Sequence, residues 1–452
     1  MVAFKSVYSV LNEGKVVLKN MESSLLRLGQ ISAFSLLLLV VALPVSSQEL
    51  QNLTLEYAID LAIEGDDWLI VSQQEENALL EQAIASGELP DPKMMVGLPN
   101  MPLDTLNFNQ EPMTQFRVGV SQSFPRGDSL KLQRRRVLQQ SEVNPFQRDD
   151  RKAAVSLEVS RLWLDGYLAE QSITLINNDR VLFEQLVDIT NARYTSAAGL
   201  ARQQDLVRAE VELVRLDDRL AMLRQLQDRS KQRLAEWLPY EYLSLPLSPE
   251  LQQRPPPSTE LSGLAQASEY FLNHPKVRAQ DKKIEIAQTQ IEITEQSFKP
   301  SYSVGVNYGY RGNAPGGIER ADFISLDVSF DLPLFTEKRQ KPRLRASQYR
   351  ASARQTERML LIKDLFANYQ QAMAQLVVLD ERRALFNDTL LSQLSDLTQA
   401  TLSSYTADEG DFEEVMRAYI AELNAKIELL QIEVERSKII SQLDYLLTTS
   451  AL

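Results

Sequence analysis

The sequence predicts a mainly α-helical protein that carries two pairs of amphipathic β-strands and repeats one structural unit twice. Matching motifs recur at one constant offset, and strand-like alternation occurs once in each half of the chain. Long segments almost free of Gly and Pro follow the strand pairs, which is typical of long helices. Each half is therefore predicted to run helix, strand, strand, long helix, helix.

The repeat is clearest in four prolines. Pro92 and Pro125 lie 33 positions apart, as do Pro300 and Pro333, and one shift of 208 positions (92 to 300, 125 to 333) superimposes the pairs. A stiff, extended connector is expected where three consecutive prolines occur. The predicted boundaries are a first repeat over 48–250, the connector over 251–258 and a second repeat over 259–452.

The first helix of each repeat has recognisable ends. Thr54 is a good N-cap, and the helix after it is predicted to run to Glu88. Its counterpart follows the connector and is predicted to run to Phe298. His274 lies within this counterpart, and we expect it to serve as a structural turn or cap. The long helix of the first repeat is predicted over 129–194, with a kink or short break at Pro145.

The segment before Thr54 is typical of an export signal. Residues 31–43 are apolar apart from two serines, which suits a signal-peptide core and is too short for a bilayer span. We expect a signal peptide over 1–47, with Met21 as an alternative start. No later apolar run is long enough for a transmembrane helix, so any membrane crossing is expected from strands.

The predicted strands cover about 93–99, 115–124, 301–310 and 323–332. In the third, Val304, Val306 and Tyr308 alternate with Gly305 and Asn307. Such an apolar face packs on a soluble core or faces lipid in an outer-membrane β-barrel. The strand lengths and the tyrosine-rich ends favour the barrel. Since known barrels start at about eight strands, the chain is expected to pool its four strands with its own copies.

Composition excludes several classes of function. The net charge of −13 and the pI of about 4.9 argue against nucleic-acid binding, which needs a cationic surface. With no Cys and a single His, the chain offers neither a disulfide framework nor a Cys/His zinc site. Because no nucleotide-binding or hydrolase motif occurs, we expect neither an enzyme nor a cofactor.

The last helix of each repeat carries a coiled-coil seam, in which apolar residues alternate at spacings of three and four. The first seam comprises Leu206, Ala209, Leu213, Leu216, Leu220 and Leu223. The second comprises Met416, Ile420, Leu423, Ile427, Leu430 and Val434. Both seams are expected to pack helix against helix.

These pieces, in this order, resemble the TolC family of outer-membrane efflux proteins. The matching segments are Pro92, Phe124-Pro125, 193–199, Pro300, Leu332-Pro333 and 404–410. The two helical breaks, at 193–199 and 404–410, each place a Gly five residues after a Tyr. The resemblance covers nearly the whole chain after the predicted signal peptide, and it rests on the order and duplication of the motifs.

The resemblance implies a homotrimer with a twelve-stranded barrel in the bacterial outer membrane, in contact with its lipid, and a twelve-helix tunnel in the periplasm. It implies a passive exit duct that docks to a periplasmic adaptor (membrane fusion) protein and an inner-membrane RND-type pump. Residues 97–104 and 110–115 are similar to the Cus/Czc-type heavy-metal branch, so heavy-metal cations are the expected cargo. A drug-efflux or type I secretion duct is the alternative, and a soluble coiled-coil scaffold is a more remote one.

Candidate functional residues follow from these expectations. The polar strand faces are expected to line the pore at Arg117, Ser121, Asp327, Ser329 and Asp331. The helical breaks are expected to gate the periplasmic tip and dock the adaptor through Arg193, Tyr194, Gly199, Tyr405, Asp408, Glu409, Gly410 and Asp411. The acidic residues among them would attract cations, cap a helix, or do both. No metal site is expected; the weak candidates are Met94, Met95, Met101 and Met113.

Overall fold

The computed structural model describes residues 52–195, 202–407 and 409–450. The predicted signal peptide over 1–47 lies outside the described residues, as do Gly199 and Asp408. Within the described ranges, every helix is too short or too polar to traverse a lipid bilayer.

The described elements fall into two similar series. The first is α1 (Leu55–Glu64), α2 (Asp67–Gly87), β1 (Lys93–Gly97), β2 (Phe116–Phe124), α3 (Ser129–Ser141), α4 (Val143–Thr195) and α5 (Gln203–Leu234). The second is α6 (Leu264–Phe271), α7 (Pro275–Gln296), β3 (Ser301–Tyr310), β4 (Phe323–Asp331), α8 (Gln340–Leu385), α9 (Leu391–Thr406) and α10 (Phe412–Leu446). A π-helical turn, Phe386–Leu390, joins α8 to α9, and a 3-10 turn, Tyr240–Ser244, follows α5.

The single helix predicted from Thr54 to Glu88 is wrong, because the structure has two helices there. Thr54 does cap α1, and a second N-cap, Asp66, starts α2 by accepting a hydrogen bond from the Trp68 N–H at 3.1 Å. A side chain that satisfies free N–H groups lets a new helix start in a new direction. The sequence reading missed this cap because the helical pattern continues across it.

The helix predicted to end at Phe298 is broken at the equivalent place. His274 is the N-cap of α7, as the sequence predicts, and its Nδ1 accepts a hydrogen bond from the Lys276 N–H at 3.2 Å. Pro275 takes the first helical position, where its missing N–H costs nothing. His274 lies 208 positions after Asp66, so the two breaks occupy equivalent places in the two series.

The long helix predicted over 129–194 is interrupted at Glu142, three residues before Pro145. The ring of a helical proline clashes with the carbonyl group four residues earlier, here that of Ser141, the last residue of α3. After this break α4 runs for 53 residues, which corresponds to about 80 Å. This helix is therefore more than twice as long as the longest strand, β3.

The four strands form one antiparallel sheet in the order β1-β2-β3-β4. The strand pair of the first series thus joins the pair of the second through β2 and β3. In the described ranges β1 and β4 pair on one side only, so the sheet has two open edges. An open edge carries unpaired N–H and C=O groups that can bind a further strand.

The helices pack around three main apolar clusters. Trp163 of α4 is buried in the first, where its indole N–H donates to the Leu53 carbonyl at 3.1 Å. A second cluster, nearer the helical breaks, contains Phe183 of α4 and Phe412 of α10, and a third joins α6 and α7 to α8 and α10. The predicted seams lie in these clusters. Their buried members are Ala209, Leu216, Leu220, Met416, Leu423, Ile427, Leu430 and Val434.

Candidate channel-lining face and helical tip

The strand register places all five predicted pore-lining residues on one face of the sheet. Residues paired directly across an antiparallel sheet project to the same side. The register pairs Ser121 with Gly305 and Gly305 with Asp327, and it pairs Ser303 with Ser329. Within each strand the predicted residues are separated by an even number of positions, so they project to the same side. This polar face therefore contains Arg117, Ser121, Asp327, Ser329 and Asp331.

Hydrogen bonds between neighbouring strands order the polar face. The amide nitrogen of Asn307 donates to the Asp327 carboxylate, and the hydroxyl groups of Ser303 and Ser329 lie 2.8 Å apart. At the helical end of the sheet, Arg126 pairs with the Asp331 carboxylate. The same Arg126 guanidinium donates to the Ser297 carbonyl at 2.8 Å. It therefore ties the end of β4 to the turn between α7 and β3.

Glycine makes room for these polar side chains. A Cβ atom built on Gly119 would lie 1.8 Å from the amide oxygen of Asn307, its direct partner across the sheet. Gly119 thus lets the Asn307 side chain lie flat across β2, where Asn307 is 9% exposed. The polar face is therefore partly covered by its own side chains.

The opposite face is apolar, and the described chain leaves it open to solvent. Leu326 is 71% exposed and Val306 is 51% exposed, so neither packs on a protein core. The apolar residues of this face more than half exposed are Met94, Val96, Val120, Val306, Tyr310, Ile324, Leu326 and Phe330. A soluble sandwich would bury this face, and the structure therefore does not support that alternative.

Aromatic side chains mark both ends of the apolar face. At the helical end, the Phe124 and Tyr302 rings stack with centroids 4.9 Å apart, and Phe330 pairs with Tyr302. At the far end lie Tyr308 and Tyr310. The eight residue steps from Tyr302 to Tyr310 span about 26 Å along the strand. At the 35–45° tilt of barrel strands this length corresponds to roughly 20 Å in height, close to the apolar band of about 25 Å that lies between the two aromatic girdles of outer-membrane barrels.

Comparisons with known proteins agree with this architecture. No protein-family model and no curated protein matches the chain. Among solved structures, the outer-membrane channel OprN matches with a TM-score of 0.72 at 16% identity. The match covers 88% of this chain and 90% of the OprN chain. CusC matches with a TM-score of 0.69 at 15% identity, over 88% and 92% of the two chains. The MtrE outer-membrane channel of Neisseria gonorrhoeae, in its open state, gives 0.66 at 17% identity, over 87% and 88%.

The chain has the fold of these outer-membrane channels. The matches span nearly the full length of both chains, so helices and sheet are shared together. The predicted fold class is confirmed in this respect: a mainly helical chain with a small sheet. At 11–17% identity the likeness establishes the fold alone.

The ends of α4 and α9, which come just before the two predicted breaks, lie together, and we call this place the helical tip. Arg193, near the end of α4, donates from Nη1 to the Tyr405 carbonyl at 2.9 Å, and its guanidinium lies 4.4 Å from the Tyr405 ring centroid. The Thr190 and Tyr405 hydroxyl groups are 3.4 Å apart. These contacts fasten the end of α4 to the end of α9.

Tyr405 and Gly410 are internal parts of this tip. Tyr405 is only 5% exposed and packs against Phe412, so its ring stabilises the tip and cannot be offered to a docking partner. A Cβ on Gly410 would lie 2.8 Å from the Tyr405 backbone nitrogen, which a side chain at this position would have to displace. Tyr194 is 43% exposed and is therefore accessible to a partner.

Of the two roles that the sequence left open for the acidic residues of the second break, helix capping is observed. Asp411 is the N-cap of α10 and accepts a hydrogen bond from the Glu413 N–H at 3.3 Å. Glu413 forms an ion pair with Arg208 of α5. Asp411 and Glu409 remain exposed. The tip thus combines helix capping with solvent-facing negative charge.

Further along the helices, charge pairs link α10 to α4. Lys426 of α10 lies 3.3 Å from Asp179 and 3.1 Å from Glu422. Burial lowers the pKa of Lys426, but the hydrogen bond and charge of Glu422 and the charge of Asp179 outweigh it, so the net shift is upward. Lys426 therefore stays charged and holds the two helices in register.

The four candidate methionines are divided between β1 and the loop that follows it. Met94 and Met95 are neighbours in β1 and project to opposite faces, with Met94 70% exposed on the apolar side. Met113 is exposed in the β1–β2 loop, and Met101 is half-buried there. Among the residues that the structure describes, no group of three or more His, Cys, Asp or Glu side chains could hold a metal ion.

His274 belongs to a buried polar group where α7 meets α10. Its Nε2 lies 3.3 Å from the Tyr445 carbonyl oxygen, and the Tyr445 hydroxyl donates to Asp150 at 3.1 Å. Burial lowers the pKa of His274 to about 4; the Lys276 charge acts in the same direction, and the hydrogen bond to Tyr445 opposes both. The imidazole is neutral at pH 7 and acts as a structural cap.

Sequence reasoning missed two features of the site. The first is the pair of side chains, Asn307 and Arg126, that order the polar face. Alternation along β3 places Asn307 on that face and could have predicted its role. Nothing in the sequence around Arg126 indicates that its side chain reaches Asp331 at the end of the sheet. An exposed apolar stripe on α5, formed by Val207, Val211 and Val214, was also missed. Its spacing of four and three is a second seam beside the buried one and was visible in the sequence.

Proposed function

We propose that this protein is the outer-membrane channel of a tripartite efflux system, a passive exit duct whose sheet spans the membrane and whose helices form a tunnel in the periplasm. The observation that carries the proposal is the sheet itself. One face is apolar, exposed and bounded by aromatic side chains about 26 Å apart, and the other is polar. A barrel wall with lipid on its outside and water on its inside is the environment that satisfies both faces.

The proposed assembly is a homotrimer. Four strands with two open edges cannot enclose a pore, whereas three copies supply twelve strands and leave no edge free. The polar face then lines the pore, with Arg117, Asp327 and Asp331 as its charged members. The similarity in fold to the channels OprN and MtrE supports this arrangement.

The tip is proposed as the gate and as the docking site for a periplasmic adaptor, through which an inner-membrane RND-type pump delivers its substrate. Tyr194 and Glu409 are accessible there. The exposed stripe of Val207, Val211 and Val214 offers an incoming adaptor helix the i, i+4, i+7 anchors that helix pairing needs. Arg193 and Tyr405 hold the ends of α4 and α9 together at the same tip.

For the cargo we propose heavy-metal cations. The support is the similarity of the β1–β2 loop to the Cus/Czc-type branch, together with the methionines that this loop and β1 expose. The fold gives no preference, since OprN and CusC match almost equally. The test is restoration of metal tolerance, compared with drug tolerance, in cells that lack their own outer-membrane channel. Drug tolerance alone would replace this cargo by the drug-efflux alternative.

Single-channel recording in planar bilayers tests the channel function directly. The purified, detergent-extracted protein should insert and conduct, with a cation preference in a salt gradient because of the exposed tip carboxylates. Glu409→Gln combined with Asp411→Asn should weaken that preference while the Asn keeps the helix cap. A protein that remains soluble without detergent and never enters a bilayer would refute the channel and favour a periplasmic scaffold.

A further inference from the structure

The chain concentrates positive charge where the sheet joins the helices, although its net charge is −13. From Lys338 to Arg354 there are seven basic residues and no acidic one. We give the name basic collar to a set of exposed cations near the sheet. Its members are Lys131, Arg134, Lys338, Arg339, Lys341, Arg343 and Arg345. Lys299 and Arg135 are also exposed there and are not included, because they pair with Asp128 and Glu292.

The collar is poorly neutralised by the chain itself. Within the described ranges only Lys341 has an acidic partner, Glu337, and the other six members make no side-chain ion pair or hydrogen bond. Helix stability does not explain the positions either. Lys341 and Arg343 lie in the first turn of α8, which contains no acidic residue, and cations are unfavourable at that end of a helix.

The collar reaches both surfaces of the helix layer. At 100° per residue, the buried line of α8 runs through Gln340, Ser347 and Ala351. Arg343 lies on one side of this line and Arg345 on the other. Whichever surface of α8 faces the tunnel, cations also reach the surface that faces outward.

An exposed apolar segment lies directly beside the collar. Leu334 is 74% exposed and Phe335 is 86% exposed, in the turn between β4 and α8. Leu332 and Leu334 continue the parity of the apolar sheet face, so the collar begins where that face ends. Exposed apolar groups followed at once by cations are the pattern of a chain that enters a membrane interface.

The opposite end of the sheet lacks this charge. The two loops there, 98–115 and 311–322, contain four carboxylates and two arginines. The positive charge is therefore specific to the helical end, and it does not arise from barrel loops in general.

We propose that the basic collar binds the headgroups of anionic phospholipids in the membrane leaflet that contacts the helical end of the sheet. The inference rests on the proposed membrane function. Charge complementarity and continuity with the apolar face both favour a lipid surface over a soluble anion, because a soluble anion would not require Leu334 and Phe335 to be exposed.

The experiment incorporates the detergent-extracted protein into nanodiscs of phosphatidylcholine with or without phosphatidylglycerol, and measures the lipids retained on re-extraction by native mass spectrometry. Wild-type protein should retain phosphatidylglycerol in excess over its share of the disc. Arg343→Gln with Arg345→Gln, on opposite sides of α8, should reduce this enrichment on the order of tenfold at low salt. Gln preserves helix propensity.

The matched control is Arg224→Gln with Arg229→Gln, since both arginines are exposed on α5, remote from the sheet, and lack an ion-pair partner among the described residues. The control should keep the wild-type enrichment. An equal loss of phosphatidylglycerol enrichment in the control would overturn the proposed lipid binding by the collar. So would wild-type protein that retains the two lipids in the proportion in which the nanodisc contains them. Neither result would contradict the proposed channel. Failure of every variant to enter either disc would overturn the channel itself, and the collar with it.

Discussion

Several side chains in this protein are held in position by hydrogen bonds to the free backbone N–H groups at the start of a helix. His274 is the clearest case, because its neutral imidazole satisfies two partners at once. Nδ1 accepts from the Lys276 N–H while Nε2–H donates to the Tyr445 carbonyl. A proton on Nδ1 would remove the cap and place a charge in a buried site.

We expect the stability of the fold to fall between pH 7 and pH 5 through His274. Its pKa is 6.5 in an unfolded chain and about 4 in the fold, so the unfolded state binds more protons in this window and stability rises with pH. The loss at pH 5 relative to pH 7 should be about 2 kcal/mol. Thermal unfolding of wild type and His274→Asn at both pH values measures it.

Asn is also a good N-cap but does not titrate in this range. Because the chain has a single His, the difference between the two proteins isolates this imidazole. The same pH dependence in wild type and His274→Asn would show that the imidazole is not responsible.

We expect Gly410→Ala to loosen the tip. The added Cβ would be placed 2.8 Å from the Tyr405 backbone nitrogen, and overpacking of this kind costs about 1–3 kcal/mol. Hydrogen exchange should accelerate roughly tenfold or more in the first turns of α10. Gly263→Ala is the control, because a Cβ there meets no atom within 4 Å. Unchanged exchange in Gly410→Ala would mean that the tip adjusts without cost.

At the scale of elements, the sheet is a two-sided structure in which one step along a strand moves a side chain from one environment to the other. Ser325 and Leu326 are neighbours in β4, and the register places Ser325 opposite Asn307 and Leu326 opposite Val306. The two positions therefore test the two faces within one strand.

We expect Leu326→Asp to prevent stable membrane insertion and Ser325→Asp to be tolerated. A charge on the lipid side of a barrel costs up to about 2–4 kcal/mol near the midplane, and less for carboxylates, whereas the polar side is in contact with water. The fraction of heat-modifiable oligomer in the membrane measures the effect. If both variants insert equally, the apolar face does not contact lipid.

At the scale of the whole molecule, the open edges of β1 and β4 determine how copies assemble. The chain has no Cys, so introduced cysteines report contacts without background. We propose a series of double variants that combine Val96→Cys in β1 with one Cys at successive positions of β4. We expect disulfides between copies, and hence covalent dimers and trimers, only in the variant whose β4 position lies opposite Val96 of the neighbouring copy. Products should end at the trimer on a denaturing gel.

Each single-cysteine variant serves as the control for that series and should give at most a dimer, since one thiol can form only one bridge. A ladder that continues beyond the trimer would indicate a larger ring or an open filament. Monomers throughout would show that the strand edges do not meet between copies.

The sequence by itself determined the features that depend on periodicity and on special residues. Strand alternation gave the two faces of the sheet, the coiled-coil spacing gave the buried seams, and the single His was recognised as a cap. These features are local, because side-chain direction follows directly from the period of the backbone. The net charge and the absence of Cys also come from the sequence alone, and they argue against a nucleic-acid-binding surface and a Cys/His metal site.

The tertiary structure alone decided the features that depend on contacts between distant segments. Residues as far apart as Arg193 and Tyr405, or Arg126 and Asp331, meet only after the two halves pack. That packing buried Tyr405, which the sequence had left as a docking residue, and joined β2 to β3 in one sheet. It also left Leu326 and its neighbours uncovered, as the proposed membrane-facing sheet requires. Periodicity predicts which residues share a face, but only the packed structure shows whether other parts of the chain cover that face.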